Sequence, residues 1–328
     1  MKRTFFVGGI IYLIVGLGFQ PSVTSVQAET PLKAKPVINN SKKPSPTAKQ
    51  PQIELLNPGT GAKQQLRFKP PVKFKQAAIM TMNMDMAMSI AGEALPAFKQ
   101  PATVMTLQTA VTKIAPNGDI HYEFSYSDVD FVGDTNLPPQ VLNTVRSQIQ
   151  KIRGIKGSAI VDNRGYTKKA NLVLPTGLDP NLKQMMQQMS NSLEQLSSPL
   201  PQQAVGIGSR WRVTSTVNIN GMNLKQIATY QLVNLKNGVA TFNIGVEQLA
   251  SPSQKLTTPG LPPGVTLTLK SYSGKGQGQA IVPLNKLMPI RSTMSLRSNS
   301  VMTQKNPGSL EETPINQKLS MTMSIESK

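Results

Sequence analysis

The chain has 328 residues, of which 38% are hydrophobic and 5% aromatic, so it can bury one large or two modest cores built mainly from aliphatic side chains and its 16 methionines. Its formal net charge of +19 favours anionic partners. It has no cysteine, which excludes disulfides, thiolate metal sites, thiol nucleophiles and a lipid attached to an N-terminal cysteine.

The N-terminus has the pattern of an export signal. Lys2 and Arg3 precede an uncharged run at residues 5–19, and Val26-Gln27-Ala28 is a small-x-Ala cleavage pattern. Residues 1–28 are therefore predicted to be a signal peptide, and the protein is expected in the periplasm or outside the cell. The alternative is an uncleaved segment that keeps the protein at a membrane, although the run is shorter than the roughly 20 residues of a spanning helix. Because of export, nucleic acid is not an expected partner.

Residues 29–63 are predicted to form a disordered, basic tether. They are rich in Pro, Lys, Ser, Asn and Gln and contain few side chains that could be buried. Such a tether would hold the protein near an anionic envelope surface, or would act only as a solubilising spacer. Residues 64–328 are predicted to form a single domain with a curved sheet.

The most regular pattern lies at residues 78–90, where apolar residues alternate with small or polar ones. This period of two predicts a strand with one apolar face. Residues 315–325 repeat the pattern, so the two strands are expected to be neighbours in one sheet. The methionines on these faces are Met80, Met82, Met84, Met86, Met88, Met321 and Met323.

Further alternating segments predict an antiparallel sheet. Residues 66–74 are predicted to be a strand bent at Pro70-Pro71. Asn-Gly turns join residues 104–114 to 120–132 and connect three strands at residues 211–249 as a meander. The Gly-Lys-Gly-Gln-Gly segment at residues 274–278 resembles a phosphate-binding loop, but a strand pattern follows it, so a hairpin or a bend of the sheet is predicted.

Two helices are predicted between the strands. The first covers residues 138–153, where apolar side chains have helical spacing and Gly154 follows. The second begins at Asp179-Pro180 and ends near Ser198. Its apolar stripe includes Met185, Met186 and Met189.

Together these elements predict an α+β fold. Its main part is a large, curved antiparallel β-sheet, shaped as a half-barrel or open barrel, with the two α-helices covering its concave apolar face. The alternative is two packed sheets that divide near Ser198.

Three motifs resemble those of an uncharacterised family, a domain of unknown function found in exported bacterial proteins and lipoproteins. They are the methionine-alternating first strand, Asp162-Asn163-Arg164-Gly165, and Pro199-Leu200-Pro201 followed by residues 205–211. The resemblance implies a family domain over residues 66–325. The chain departs from the family in lacking the lipid-bearing cysteine and in the longer spacing before Trp211. In architecture the chain is also similar to periplasmic half-barrel lipoprotein carriers, which implies a sheet that holds acyl chains.

No catalytic residue, cofactor or metal site is predicted. Thioethers are soft ligands for Cu(I), but neighbours on one face of a strand lie roughly 6.5 to 7 Å apart, which favours a hydrophobic wall. His121, the one histidine, forms with Glu123 a pair that lacks a third ligand. Asp128, Asp130 and Asp134 lack the spacing of a calcium loop. Without a cysteine or a Gly-x-Ser-x-Gly elbow, hydrolase chemistry is not expected.

The sequence therefore predicts an exported, non-enzymatic binding module whose curved sheet shelters an apolar ligand, a lipid or an acyl chain. The alternative is a structural or protein-interaction protein of the cell envelope that has a filled core and no ligand. The residues predicted to line the ligand are Met80, Met82, Met84, Met86, Met88, Met185, Met186, Met189, Met321 and Met323.

Overall fold

The computed structural model of the chain describes residues 50–96, 98–99, 101–135, 139–174, 199–219, 221–256 and 263–327. In these residues the chain forms 17 strands and one helix, α1, at Pro139–Gln150. No helix in this part of the chain is both long and apolar enough to cross a membrane. The strands are β1 Gln52–Asn57, β2 Thr60–Gln64, β3 Lys75–Ile90, β4 Glu93–Ala94, β5 Phe98–Lys99, β6 Ala102–Ile114, β7 Ile120–Val132, β8 Lys156–Val161, β9 Thr167–Val173, β10 Val205–Ile207, β11 Arg210–Ile219, β12 Met222–Lys236, β13 Val239–Ala250, β14 Gln254–Leu256, β15 Thr266–Pro283, β16 Arg291–Lys305 and β17 Glu312–Ser327.

One 15-stranded antiparallel sheet forms the body of the fold. Its main path runs β1-β11-β12-β13-β15-β16-β17-β3-β6-β7-β8-β9, and the short strands β4, β5 and β14 pair along its margins. β2 and β10 form a separate two-stranded ribbon. The described strands β1 and β9 end the path without pairing with each other, so the sheet is open.

The predicted pairing of the methionine-rich strand with the last strand is confirmed. β17 runs antiparallel to β3, with Met321 opposite Met84, Met323 opposite Met82 and Ile325 opposite Met80. Because side chains directly opposite each other point to the same face, the two apolar faces form one continuous surface.

The sheet curves around one main core. Residues of β7, such as Tyr122, and residues of β11, such as Trp211, belong to the same buried cluster although these strands lie near opposite ends of the sheet. At one end of the fold, Ala170 and Leu172 of β9 pack against a smaller cluster that contains Val217 of β11. Side-chain packing therefore brings the two ends of the sheet together where backbone pairing does not.

The prediction of an α+β fold with two covering helices is wrong, because the described residues are almost entirely β. The predicted helix at residues 138–153 is confirmed as α1, but its 12 residues connect two neighbouring strands and pack mainly on β7. Ile149 and Ile152 enter the main core, and Arg146 forms an ion pair with Asp130 of β7 at 2.9 Å. The second predicted helix, with Met185, Met186 and Met189, lies outside the described residues.

Two further differences concern the start of the domain. β1 and all of β2 except Gln64 lie in the segment predicted to be a tether; Ile53 and Leu55 of β1 pack against the main core. Residues 66–74, predicted as a bent strand, form no strand before Lys75. Instead Leu66 and Phe68 are buried, and the backbone amide of Phe68 donates to the carbonyl of Asn163 at 2.7 Å. The prolines that follow cannot donate to a ladder, so this segment packs on the core without joining the sheet.

The glycine-rich segment at residues 274–278 is neither a hairpin nor a bend, since it lies inside the continuous strand β15. A Cβ atom at Gly278 would collide with the backbone carbonyl of Thr293 on β16. The glycines therefore allow a close approach of two backbones, which is a recognised use of glycine within a strand.

Candidate functional site

The methionines of β3 occupy two different environments. Met80, Met82 and Met84 are buried in the protein interior, whereas Met86 and Met88 are half-buried. The amide of Gln317 donates to the sulfur of Met86 at 2.8 Å. Burial therefore decreases along the strand towards the end that carries Ile90.

Across the neighbouring strands the buried methionines form a continuous wall. Met294 of β16 lies opposite Met323 of β17, and Met105 of β6 lies opposite Met80. Met105 and Met294 were not predicted as lining residues, although both lie in alternating strands. The wall consists of Met80, Met82, Met84, Met105, Met294, Met321 and Met323.

Next to this wall, a band of polar side chains crosses the inner face of the sheet. Cross-strand pairing places Ser215, Gln226, Gln248, Gly274 and Ser298 in one row across β11, β12, β13, β15 and β16. The adjoining row contributes the other members. We call Ser215, Gln226, Gln248, Tyr272, Ser298, Ser300 and Gln317 the polar band.

The polar band is internally hydrogen-bonded. The amide nitrogen of Gln248 donates to the side-chain oxygen of Gln226 at 2.8 Å, and the hydroxyl of Tyr272 donates to the side-chain oxygen of Gln248 at 2.8 Å. Burial raises the pKa of Tyr272, so its phenol is neutral and can donate a hydrogen bond at ordinary pH. Gly274 makes room for this contact, because a Cβ there would lie 3.0 Å from the side-chain oxygen of Gln248.

A second apolar cluster lies beyond the polar band. It consists of Leu256, Leu269, Met302 and Ile315, and the half-buried Met88 and Ile90 pack against it. The inner face therefore presents apolar, polar and apolar surface in succession at this end of the sheet. A mainly apolar surface with a few convergent polar groups is typical of sites that bind organic ligands.

Two of the sequence motifs, Asp162-Asn163-Arg164-Gly165 and Pro199-Leu200-Pro201, meet at a structural junction. The carboxylate of Asp162 accepts hydrogen bonds from the backbone amides of Arg164 at 2.9 Å and Tyr166 at 2.8 Å, which fixes the β8–β9 turn. The carbonyl of Arg164 in turn accepts from the amide of Leu200 at 3.1 Å. Arg67 donates to the carbonyl of Gln202 at 2.7 Å, and burial lowers the pKa of its guanidinium. These contacts explain the motifs as elements that hold the fold together.

The other polar candidates do not come together. His121 is half-buried and Glu123 exposed, while Asp130 pairs with Arg146. In the described part of the chain, no group of three or more His, Asp or Glu side chains could hold a metal ion.

Several of the solved structures that match the chain are outer-membrane proteins, each with a low TM-score. OprG from Pseudomonas aeruginosa has 6% identity and a TM-score of 0.21, over 79% of this chain and 98% of that protein. An anion-selective porin from Comamonas acidovorans has 6% identity and a TM-score of 0.22, over 76% of this chain and 100% of the porin. A loop-deletion mutant of OmpT from Vibrio cholerae has 5% identity and a TM-score of 0.19, over 76% and 99%. TM-scores this low do not indicate a shared fold.

A search of curated proteins finds no match to the sequence. A protein-family model does match, over residues 178–286. This segment contains Pro199-Leu200-Pro201, Trp211 and strands β10 to β15. The resemblance to an uncharacterised family is thus confirmed for residues 178–286, which match the family of unknown function (DUF6263).

Proposed function

We propose that the protein is an exported, non-enzymatic binding module that holds a lipid or acyl chain against the inner face of its sheet. The observation that carries this proposal is the decrease in burial along β3. Met80 to Met84 are packed in the core, whereas Met86, Met88 and Ile90 retain accessible apolar surface beside the polar band. Flexible thioethers suit a surface that must adapt to an apolar chain.

The proposed lining differs from the one predicted from the sequence. Met82, Met321 and Met323 belong to the main core, and Met84 is buried opposite Met321, so these side chains would support the site from behind. The ligand would lie instead against Met86, Met88 and Ile90 and the second apolar cluster. In this proposal the buried methionines stabilise the fold, and the half-buried methionines contact the ligand.

The polar band would orient the ligand. The half-buried Tyr272 packs against the second apolar cluster and is held by its hydrogen bond to the buried Gln248, and its hydroxyl can hydrogen-bond to the polar head group of a lipid. An apolar chain on one side of the band and a polar group on it would give the ligand a single orientation.

The proposed location rests on the sequence. Residues 1–28 have the pattern of an export signal, and the basic residues that follow would keep the exported protein near an anionic envelope surface. Both parts of the chain lie largely outside the described residues.

Native mass spectrometry of protein purified from its own envelope tests the proposal. We expect a lipid-bearing mass, or uptake of a phospholipid or fatty acid when the apo protein is challenged. Met88→Gln should reduce uptake at least about tenfold, since it places an amide against the apolar chain. Leu249→Gln is the matched control, because Leu249 is exposed on the outer face of the sheet. This variant should take up lipid as the wild type does.

A clean apo mass with no uptake would instead favour a structural or interaction protein with a filled core. Equal uptake by wild type, Met88→Gln and Leu249→Gln would refute this placement of the site.

A further inference from the structure

The outer face of the sheet carries a groove that the proposed lipid site does not use. It spans β11, β12, β13, β15 and β16 and has a volume of about 870 Å³. Its lining combines polar and apolar surface, and it carries four basic side chains, Arg210, Arg212, Lys275 and Arg297, and one acidic side chain, Glu247.

The basic side chains of the groove are mostly uncompensated. Arg212 pairs with the exposed Glu54 at 3.1 Å. Among the residues that the structure describes, Arg210, Lys275 and Arg297 have no ion-pair partner. The groove therefore has a positive potential that an anionic ligand would neutralise.

Two of these cations are directly opposite each other. Lys275 of β15 faces Arg297 of β16 on one side and Glu247 of β13 on the other, so the one acidic side chain of the groove offsets part of the charge of Lys275 but lies two strands away from Arg297. Like charges at directly opposed positions destabilise a sheet. An anionic ligand bound between Lys275 and Arg297 would relieve this repulsion, so the pair favours binding of an anion.

The floor of the groove is a glycine in the middle of a strand. Gly245 lies within β13, opposite Thr229 on one side and Gln277 on the other. A Cβ atom built on Gly245 would meet nothing within 4 Å, so neither packing nor backbone conformation requires glycine there. Glycine inside a strand often marks a place where a ligand approaches the backbone closely.

We propose that this groove binds a linear anionic glycan. Its basic side chains lie on two sides of Gly245: Arg210 and Arg212 on β11, and Lys275 and Arg297 on β15 and β16. With strands about 4.8 Å apart, β11 and β15 are separated by roughly 14 Å, which suits a chain with several acidic groups. Thr229, Gln277 and Ser295 lie between the cations and can bind the hydroxyl groups of sugars.

Other polyanions fit the groove less well. A recess is poorly matched to the flat surface of a membrane. The lining contains no aromatic side chain on which a nucleic-acid base could stack, although stacking is a main source of affinity for single strands. Arginine binds carboxylates and phosphates in a bidentate manner, so uronic acids and phosphorylated sugars both suit the site.

Titration calorimetry with an oligogalacturonate tests the proposal, with a neutral glycan of similar length, an anionic phospholipid vesicle and a single-stranded oligonucleotide as comparisons. We expect binding of the oligogalacturonate that weakens with salt and is not matched by the other three. Preferential binding of the vesicle or the oligonucleotide, or no binding of the oligogalacturonate, would overturn the proposal.

Two variants place the binding in the groove. The double variant K275Q/R297Q should lose at least about tenfold in affinity, whereas K113Q/K156Q, which removes the same charge from exposed positions on β6 and β8, should not. Gly245→Val fills the floor with a side chain that favours strands, so it should abolish binding without lowering the melting temperature. Equal losses in both double variants, or unchanged binding by a folded Gly245→Val, would show that the groove is not the site.

Discussion

Met82 of β3 lies directly opposite Met323 of β17, and both side chains are buried at the centre of the methionine wall. This pair joins a strand from the first third of the chain to the last strand. Its contribution to stability can be measured separately from any role in binding.

Replacing Met82 by Ala should lower the free energy of unfolding by about 2 to 5 kcal/mol, because it leaves a cavity in a packed core. Met82→Leu, which nearly conserves volume, should cost less than about 1.5 kcal/mol. Urea denaturation followed by circular dichroism measures both. A cost for Met82→Ala as small as that of Met82→Leu would show that this part of the interior is not packed.

The same pair predicts an energetic coupling. A double-mutant cycle with Met82→Ala and Met323→Ala should give an interaction energy of about 0.5 to 3 kcal/mol, as is usual for residues in contact. A cycle between Met82→Ala and Val217→Ala, on β11 in the smaller cluster that is separate from the main core, provides the additive control. Coupling of equal size in both cycles would contradict the register of β3 and β17.

Trp211 is predicted to be a major stabilising residue of the β11 side of the core. Its ring stacks on Tyr230 with a centroid distance of 5.4 Å and meets the edge of Phe242 at 5.6 Å. Trp211→Ala should cost about 3 to 5 kcal/mol.

Trp211→Phe should cost less, because the indole nitrogen of Trp211 has no hydrogen-bond partner among the described residues and its removal relieves a desolvation cost. Leu310→Ala, at a position that is 92% exposed, should change stability by less than about 0.5 kcal/mol. Thermal denaturation measured by circular dichroism follows all three variants. Equal costs for Trp211→Ala and Leu310→Ala would refute the packing.

Stability should fall at high pH because of buried phenols. Burial raises the pKa of Tyr126 above its usual value of about 10. Above that pH the unfolded chain releases the proton while the folded chain retains it, so the folded state binds more protons and stability decreases as pH rises. The contribution of Tyr126 is thus fully present below pH 10 and is lost above it.

Tyr126→Phe should make the decline in the free energy of unfolding between about pH 9 and pH 11.5 shallower, although lysines also titrate in this range. The free energy of unfolding is measured by urea denaturation at several pH values for wild type and variant. The lysine contribution is the same in both proteins, so it cancels when their slopes against pH are compared. Identical slopes would mean that Tyr126 is accessible to solvent.

Two glycines provide a matched pair of substitutions. A Cβ at Gly206 of β10 would collide with the carbonyl of Thr60 on β2, whereas one at Gly245 would meet nothing within 4 Å. Gly206→Ala should therefore destabilise the protein by about 1 to 3 kcal/mol or more through overpacking. Gly245→Ala should be neutral or slightly stabilising, because it reduces the entropy of the unfolded chain. Denaturation midpoints that rank the two variants in the opposite order would contradict the β2–β10 ribbon.

Strand alternation predicted most of the sheet. The hairpin of β6 and β7, the meander of β11 to β13 and the neighbouring positions of β3 and β17 all follow from period-two patterns and Asn-Gly turns. In these segments the local pattern and the packed structure agree. β1 was missed because only Ile53 and Leu55 alternate within a segment rich in proline and lysine.

The polar band could not be predicted from single strands. Ser215, Gln248 and Ser298 come from segments far apart in the sequence and form a row only through the register of four successive strand pairs. The groove has the same origin, since Lys275 and Arg297 become neighbours only when β15 and β16 pair. The glycines of β15 suggested a bend because glycine weakens strands in isolation, whereas here it permits close packing of two backbones.

The pairing of β17 with β3 also has a consequence for the order of folding. Strands β3 to β9 and strands β11 to β17 pair mainly with their neighbours in the chain, but the contact that joins these halves requires residues separated by most of the sequence. Such non-local contacts carry a high entropic cost of loop closure and slow folding. The sheet therefore cannot be completed until residues 312–327 have been synthesised. Until then β3 and β16 each have an unpaired backbone edge next to an exposed apolar face, and both strands require protection from aggregation.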